Sequence, residues 1–192
     1  SSLNITEGFY MTEAFTLPLL TAILGAVAGA VLTSFFISRH NKRTLAIEFH
    51  KEWNSYEMSV HRRKAYHCIK KYPDINYDEL TGVDEDGSIS VFIILRFFER
   101  LGQCFQSNSL NRQLAATLFY ESFYWWYFVS FNTSLRTVKD GWKSFEVIEE
   151  LKTQMREYTR ELDYCELSKK YTQKYLHYVS NKRASDFTRQ VS

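Results

Sequence analysis

The chain has little proline and little glycine, with two prolines and seven glycines among its 192 residues. The tight turns of sandwiches and barrels depend on these two residue types, so their scarcity disfavours an all-β domain. Long segments carry apolar residues at helical spacing instead. We therefore predict an all-α protein.

Charge is missing from one long stretch. Residues 14–37, about 24 positions, contain no charged side chain, and a helix needs roughly 20 apolar residues to cross the hydrocarbon core of a bilayer. A soluble core helix of that length would show a polar face. We predict a transmembrane helix over residues 14–38, preceded by a short outer tail over residues 1–13.

Positive charge is missing before Arg39. Every lysine and arginine follows residue 38, whereas Glu7 and Glu13 precede the apolar stretch. A cleaved signal peptide has the opposite pattern, with positive charge before its apolar core and small residues after it. We therefore expect a retained anchor, with the N-terminus outside and the C-terminal region in the cytoplasm.

Small residues repeat inside the predicted span. They form two sets in which every fourth residue is small, Thr21, Gly25, Gly29 and Thr33 in one and Ala22, Ala26 and Ala30 in the other. This spacing stacks small side chains on one helical face, where two backbones can approach closely. We expect self-association through this face, either as a dimer or as a ring.

For the remaining chain we predict three segments: a basic collar and connecting helix over residues 39–54, a cytoplasmic helical domain over 55–180 and a frayed tail over 181–192. Ser55 is a candidate N-cap for a helix over residues 56–71 that ends before Pro73. The acidic stretch 74–87 is predicted to be a surface loop. Its cluster of carboxylates lacks the spacing of a calcium loop. Ser88 or Ser90 is the expected cap of the next helix.

A fourth helix is expected over residues 112–138, and its middle is a run of large aromatic residues. Such a run is typical of a core helix, with an interfacial or re-entrant segment as the alternative. Gly141 predicts a break and Ser144 a cap. The last helix is then expected to carry an apolar seam with coiled-coil spacing, formed by Ile148, Leu151, Met155, Tyr158, Leu162 and Cys165. Beyond Ser168 the chain becomes polar, and fraying is expected.

Most motifs for chemistry are absent from the sequence. It contains no glycine-rich phosphate loop, no HExxH and no cysteine–histidine set with metal spacing, so no cofactor or metal is expected. The three cysteines, Cys68, Cys104 and Cys165, form no CxxC pair and are expected to be reduced and buried.

One motif remains, in the second helix, which reads HRRKAYH over residues 61–67. Arg62 and His67 fit the R-x4-H spacing of HEPN-type ribonucleases, in which histidine serves as general acid or base and arginine steadies phosphate charge. Those enzymes commonly place Asn, Asp or His directly after the arginine, where this chain has Arg63. They also use two facing motifs, and a second protomer would have to supply the other. Catalysis, RNA binding and a structural role all stay open for the pair.

The layout from Met11 onward, with one membrane helix, a basic collar, a helical domain and the Arg62/His67 pair, resembles the Csx-type accessory membrane proteins of type VI-B CRISPR systems. The resemblance implies a divergent HEPN-like bundle and a homo-oligomeric pore in the bacterial inner membrane. It also implies a functional link to the RNA-guided ribonuclease of such a system, whose antiviral defence the pore would strengthen.

The residues fit a ring of single helices. Hydroxyl groups of the span, on Thr21, Thr33 and Ser34, are candidates for a lumen. The cations that follow the span, Arg39, Lys42 and Arg43, would form a positive ring at the cytoplasmic mouth. The expected partners are therefore other copies of the chain and the lipid bilayer. A membrane-tethered HEPN ribonuclease and a non-catalytic membrane scaffold are the alternatives.

Overall fold

The computed structural model describes the backbone of residues 5–73, 75, 77–131 and 143–191, and the side chains of residues 21–73, 75, 79–131, 145–160 and 163–183. Within these residues the chain is helical and contains no strand, which confirms the predicted all-α class. The helices are α1 (Ile5–Trp53), α2 (Tyr56–Lys71), α3 (Tyr77–Val83), α4 (Glu85–Gln106), α5 (Arg112–Trp126), α6 (Lys143–Tyr158) and α7 (Glu161–Val191), and a π-helical segment, Tyr127–Phe131, follows α5.

Two compact units divide the chain, Ser1–Asn41 and Lys42–Ser192. The described residues of the first unit form the N-terminal part of α1. The described part of α1, Thr21–Trp53, contains an 18-residue stretch with a mean hydropathy of 1.9, none of which is buried. Apolar side chains such as Leu24 and Phe36 are 67% and 64% exposed. This helix is long and apolar enough to span a membrane.

Helix α2 has the bounds that the sequence predicts. Ser55 has an extended backbone and its hydroxyl accepts a hydrogen bond of 3.1 Å from the Met58 N–H, which satisfies one of the free donors of the first turn. The helix ends at Lys71, and Tyr72 and Pro73 come next. Proline disfavours a helical conformation of the residue before it, so the stop is local in origin.

The predicted loop over residues 74–87 is wrong in part, because helix α3 lies inside it and α4 begins at Glu85. The N-cap of α4 is Asp84, whose carboxylate accepts a hydrogen bond of 2.9 Å from the Gly87 N–H. The expected caps, Ser88 and Ser90, are buried inside the helix and donate to backbone carbonyls three and four residues earlier. Acidic residues are favoured at a helix N-terminus because its free N–H groups carry partial positive charge.

The core of the second unit is aromatic. Helix α4 packs against α2, α3 and α6, and α5 packs against α6 and α7. The Trp53 ring, at the end of α1, lies 4.9 Å from the Phe97 ring and 5.0 Å from the Phe98 ring of α4. Phe119 and Phe123 of the aromatic run are fully buried, so this run is a core helix rather than an interfacial segment. Residues 132–138, the rest of the predicted helix, lie outside the described residues.

The predicted seam of the last helix holds only over its first half. Ile148, Leu151 and Met155 are fully buried, but Tyr158 is 43% exposed and Cys165 is also exposed. The helix breaks at residues 159–160, so the coiled-coil spacing does not continue along one helix. The break expected at Gly141 and the side chains of Ser144 and Leu162 lie outside the described residues, although α6 begins at Lys143, before Ser144.

The C-terminal segment differs from the expected frayed tail. Helix α7 continues past Ser168 to Val191, and Tyr171 and Tyr178 on it are buried. The Tyr178 hydroxyl donates to that of Tyr66 at 3.2 Å, and the Tyr175 hydroxyl donates to the Pro73 carbonyl at 3.2 Å. Tyrosines spaced along one face therefore hold this polar segment against the bundle.

Two glycines allow helices to approach closely. A Cβ added at Gly87 would lie 2.6 Å from Cys68 Sγ, where α4 passes α2. A Cβ added at Gly102 would lie 2.7 Å from Val147 Cγ1, where α4 passes α6. These distances are shorter than any normal carbon contact, so larger residues would push the helices apart.

Candidate functional site

Arg62 projects from α2 into the bundle. Its guanidinium lies 4.7 Å from the centre of the Trp53 ring, a cation–π contact. Its Nε atom is buried and has no hydrogen-bond partner among the residues that the structure describes. Burial lowers the pKa of Arg62 because it disfavours the charged form. An arginine kept in such a place is poorly explained by stability alone, since an unsatisfied buried donor costs about 1–3 kcal/mol.

A pocket of about 270 Å³ surrounds this side chain. Residues from helices α1, α2, α5 and α7 form its wall, namely Trp53, Arg62, Glu121, Ser122, Trp125, Trp126 and Tyr171. All of them belong to the unit Lys42–Ser192. Four of the seven lining residues are aromatic, and the other three are polar.

Opposite charges line the pocket without pairing. Among the ion pairs of the described residues, none joins Arg62 to Glu121, and the hydrogen bond made by Glu121 is accepted from the Tyr171 hydroxyl at 3.4 Å. Burial, together with the negative charge of Glu121, raises the pKa of Tyr171 to about 12. A donor-only cation and an acceptor-only anion therefore face one cavity.

Aromatic rings complete the wall. The Trp125 and Trp126 rings lie 4.6 Å apart at an interplanar angle of 78°. Lys174 Nζ lies 5.7 Å from the Trp125 ring centre and 5.8 Å from the Tyr66 ring centre. This lysine brings a positive charge next to the pocket wall.

His67 does not line this pocket. Its side chain is exposed, and its ring meets the Tyr66 ring edge-on at 5.6 Å. Five residues turn a helix by about 500°, which leaves Arg62 and His67 about 140° apart around the axis of α2. The structure thus places the two members of the R-x4-H motif in different surroundings, one in an aromatic pocket and one on the surface.

The predicted interface residues of the span are open in the single chain. A Cβ added at Gly25 or Gly29 would meet no atom within 4 Å. The neighbouring small and hydroxyl residues are likewise exposed, namely Thr21, Ala22, Ala26, Ala30, Thr33 and Ser34.

The three cations of the predicted mouth differ in their surroundings. Arg39 and Arg43 are exposed, whereas Lys42 is half-buried. The carbonyl of Lys42 accepts a hydrogen bond of 2.9 Å from the Asn111 N–H, which ties the collar to the start of α5. None of the three is paired with a carboxylate within the part of the chain that the structure describes.

None of the three cysteines forms a disulfide within the described residues, but they are not all buried as expected. Cys68 is buried, and burial raises its pKa to about 12, with Asp84 adding to the shift. Cys104 is half-buried and Cys165 is exposed. The residues with described side chains contain no group of three or more histidine, cysteine, aspartate or glutamate residues that could hold a metal ion.

The sequence motif singles out Arg62 but not its surroundings. Glu121 and Tyr171 join the same pocket from helices far apart in the chain, and no local spacing links them. The one local signal for them is Glu121 itself, an acidic residue inside an aromatic run. Comparison of the chain with protein-family models, with curated proteins and with solved structures found no match.

Proposed function

We propose that this protein is a single-span membrane protein whose copies assemble through α1 into a pore. The observation that carries the proposal is the surface of α1: none of its apolar stretch is buried, and a Cβ added at Gly25 or Gly29 would meet no atom within 4 Å among the residues that the structure describes. An apolar helix of this length needs lipid or other helices around it.

Small residues give the reason for assembly rather than simple anchoring. Lipid covers large apolar side chains such as Leu24 and Phe36 equally well in a monomer and in an oligomer. A face made of glycine and alanine packs loosely against lipid but closely against another helix, because the two backbones can approach. Repetition of this contact around an axis closes a ring.

The polar groups of α1 suit the inside and the mouth of such a ring. Thr33 and Ser34 supply hydroxyls to a lumen, and Arg39, Lys42 and Arg43 follow the span as a cluster of positive charge. A positive ring at a pore mouth favours anions and anionic lipid headgroups. The same charges put the helical unit on the cytoplasmic side of a bacterial inner membrane.

The resemblance in layout supplies a biological setting for the proposal. A membrane pore linked to a type VI-B RNA-guided ribonuclease would act as an antiviral effector that depolarises the membrane of an infected cell. The helical unit would then be a divergent HEPN-like bundle. We propose no ribonuclease activity, because His67 does not share the pocket of Arg62.

Dye release from liposomes tests the pore. The purified full chain is reconstituted into liposomes loaded with a self-quenching anionic dye, and we expect release that rises with the ratio of protein to lipid. The matched control is the double variant Val27→Leu with Val31→Leu, which changes two residues on the opposite face of the span and keeps release. Liposomes that stay sealed at every ratio, although protein inserts in them, would contradict the proposal.

A further inference from the structure

The pocket around Arg62 has the chemistry of a base-binding site. We propose that it binds a guanine base, carried either by a free nucleotide or by single-stranded RNA. The site lies within the helical unit alone, and its assignment does not depend on the pore.

Stacking surfaces are the first reason. Three of the four tryptophans of the chain, Trp53, Trp125 and Trp126, line this one pocket. Trp125 is half-buried, so part of its ring remains accessible. Proteins hold unpaired bases by stacking them on aromatic rings and on arginine planes. The Arg62 guanidinium lies over the Trp53 ring, 4.7 Å from its centre, which leaves Trp125 as the accessible stacking surface.

The arrangement of donors and acceptors is the second reason. Arginine offers only donors and an ionised carboxylate only acceptors. Arg62 and Glu121 line the same pocket and are not paired with each other, so a ligand that bonds to both accepts from Arg62 and donates to Glu121. Guanine has two adjacent acceptors, O6 and N7, which arginine recognises more often than any other base feature. The N1–H and N2–H groups on its neighbouring edge can donate to a carboxylate.

The same groups discriminate against the other purine. Adenine presents an amino donor beside N7. That donor would oppose the second N–H of the Arg62 guanidinium, and adenine has no N1–H for Glu121. A donor left facing a donor in a partly desolvated site is costly, so the pocket favours guanine over adenine.

Size and charge agree with this ligand. Sites for drug-sized molecules have volumes of about 300–1,000 Å³. The pocket, at about 270 Å³, is just below that range and suits one base. The attached phosphate would lie outside the base pocket, and Lys174 stands next to Trp125 where it can neutralise a phosphate.

A fluorescence titration tests the proposal, since three of the four tryptophans line the pocket. The full chain in detergent micelles is titrated with GMP and with AMP. We expect GMP to quench the emission at concentrations at least tenfold lower than AMP. No change with GMP at millimolar concentration and none with guanine-containing RNA, or equal responses to GMP and AMP, would overturn the proposal.

Variants separate the pocket from non-specific binding. Glu121→Gln replaces an acceptor by a group that also donates, and we expect it to weaken GMP binding roughly tenfold or more. Glu121 is exposed at the pocket rim, so this change leaves the fold intact. Arg63→Gln removes an exposed charge next to Arg62 outside the pocket and should leave the affinity unchanged. Equal losses in both variants would overturn the assignment.

A second pair of ligands identifies the source of the base. Short single-stranded RNA made of alternating guanine and adenine is compared with an adenine-only strand of the same length. If GMP quenches the emission as strongly as the mixed strand does, the ligand is a free nucleotide. Quenching by the mixed strand alone assigns RNA. Because the readout is made in detergent, its outcome is independent of dye release from liposomes.

Discussion

The Arg62 guanidinium lies 4.7 Å from the centre of the Trp53 ring, so a residue of α2 makes a cation–π contact with the last residue of α1. The contact sits at the wall of a pocket and leaves Arg62 Nε buried without a partner. A partly desolvated cation–π contact contributes about 1–2 kcal/mol, and an unsatisfied buried donor costs about 1–3 kcal/mol. The two effects nearly cancel.

From this balance we predict that Arg62→Met leaves the free energy of unfolding within about 1 kcal/mol of the parent value, because methionine keeps the packing stem and removes the unpaired donor. Trp53→Ala, in contrast, should destabilise the protein by about 3–5 kcal/mol, since Trp53 packs on Phe97 and Phe98. Chemical denaturation followed by circular dichroism measures both. A loss above about 2 kcal/mol for Arg62→Met would make this arginine a structural residue.

Replacement of Gly102 by a larger residue is predicted to destabilise the protein, because α4 passes close to α6 at this position. Gly102→Ala would place a Cβ 2.7 Å from Val147 Cγ1, and overpacking of this kind costs about 1–3 kcal/mol. The control is Gly82→Ala in α3, where an added Cβ meets nothing within 4 Å. Alanine is the better helix former, so that change should stabilise by about 0.5–1 kcal/mol. The thermal unfolding midpoint should fall in Gly102→Ala and rise in Gly82→Ala.

The small-residue face of α1 leads to a prediction on assembly. Gly25→Leu with Gly29→Leu should dissociate the proposed oligomer in detergent, because the added side chains would hold neighbouring helices apart. The helical unit should keep its unfolding midpoint, since a Cβ added at either glycine meets no atom within 4 Å in the described part of the chain. Sedimentation or native mass spectrometry measures the number of copies, with Val27→Leu plus Val31→Leu as the matched control. An unchanged oligomer in the glycine variant would contradict the proposed interface.

The three cysteines should react in a defined order with a thiol reagent at mildly alkaline pH. Cys165 is exposed and should react first, Cys104 is half-buried and should be second, and Cys68 should react only on unfolding. Burial raises the pKa of Cys68 to about 12, so almost no reactive thiolate is present there. Mass spectrometry of labelled peptides resolves the order, and Cys165→Ser should remove the fastest phase alone. Early labelling of Cys68 would show that α2 opens from α4.

The stability of the protein at high pH should depend on two buried tyrosines, Tyr124 and Tyr171. Burial raises the pKa of Tyr124 and of Tyr171 to about 12, from an ordinary value of 10.0. The folded state therefore holds these protons more tightly than the unfolded state. Their contribution to stability is complete below pH 10 and is lost as the pH rises through about 12. In a pH titration followed by tyrosinate absorbance, we expect a component that ionises only near pH 12. The amplitude of this component should be smaller in Tyr171→Phe. A single transition of all tyrosines at the ordinary pKa would contradict this prediction.

Local patterns predicted many elements correctly. The Ser55 cap, the end of α2 before Pro73 and the connecting helix that follows the apolar stretch all depend on residues within a few positions of each other. The errors fell where two local signals compete. At the start of α4 an aspartate and two serines could each cap, and Asp84 does so because α3 ends immediately before it.

The last helix shows why a good local pattern can still mislead. The apolar spacing from Ile148 to Cys165 fits one helix, but the helix breaks at residues 159–160, and α7 is held against the bundle by other contacts. Tyr171 and Tyr178 are buried and form hydrogen bonds with Glu121 of α5 and Tyr66 of α2, respectively. These partners are distant in the chain, so composition alone made the segment look solvated.

The helical class, the apolar span with its small-residue face, and the sign of the charge after the span could all be read from the amino-acid sequence. These properties are local, because hydrogen bonds within a helix and transfer into a bilayer depend on neighbouring residues only. Tertiary packing, in contrast, decided that Arg62 shares a pocket with Glu121, Trp125 and Tyr171 while His67 stays outside. A pocket is made where helices pack together, and packing joins residues that no spacing along the chain relates.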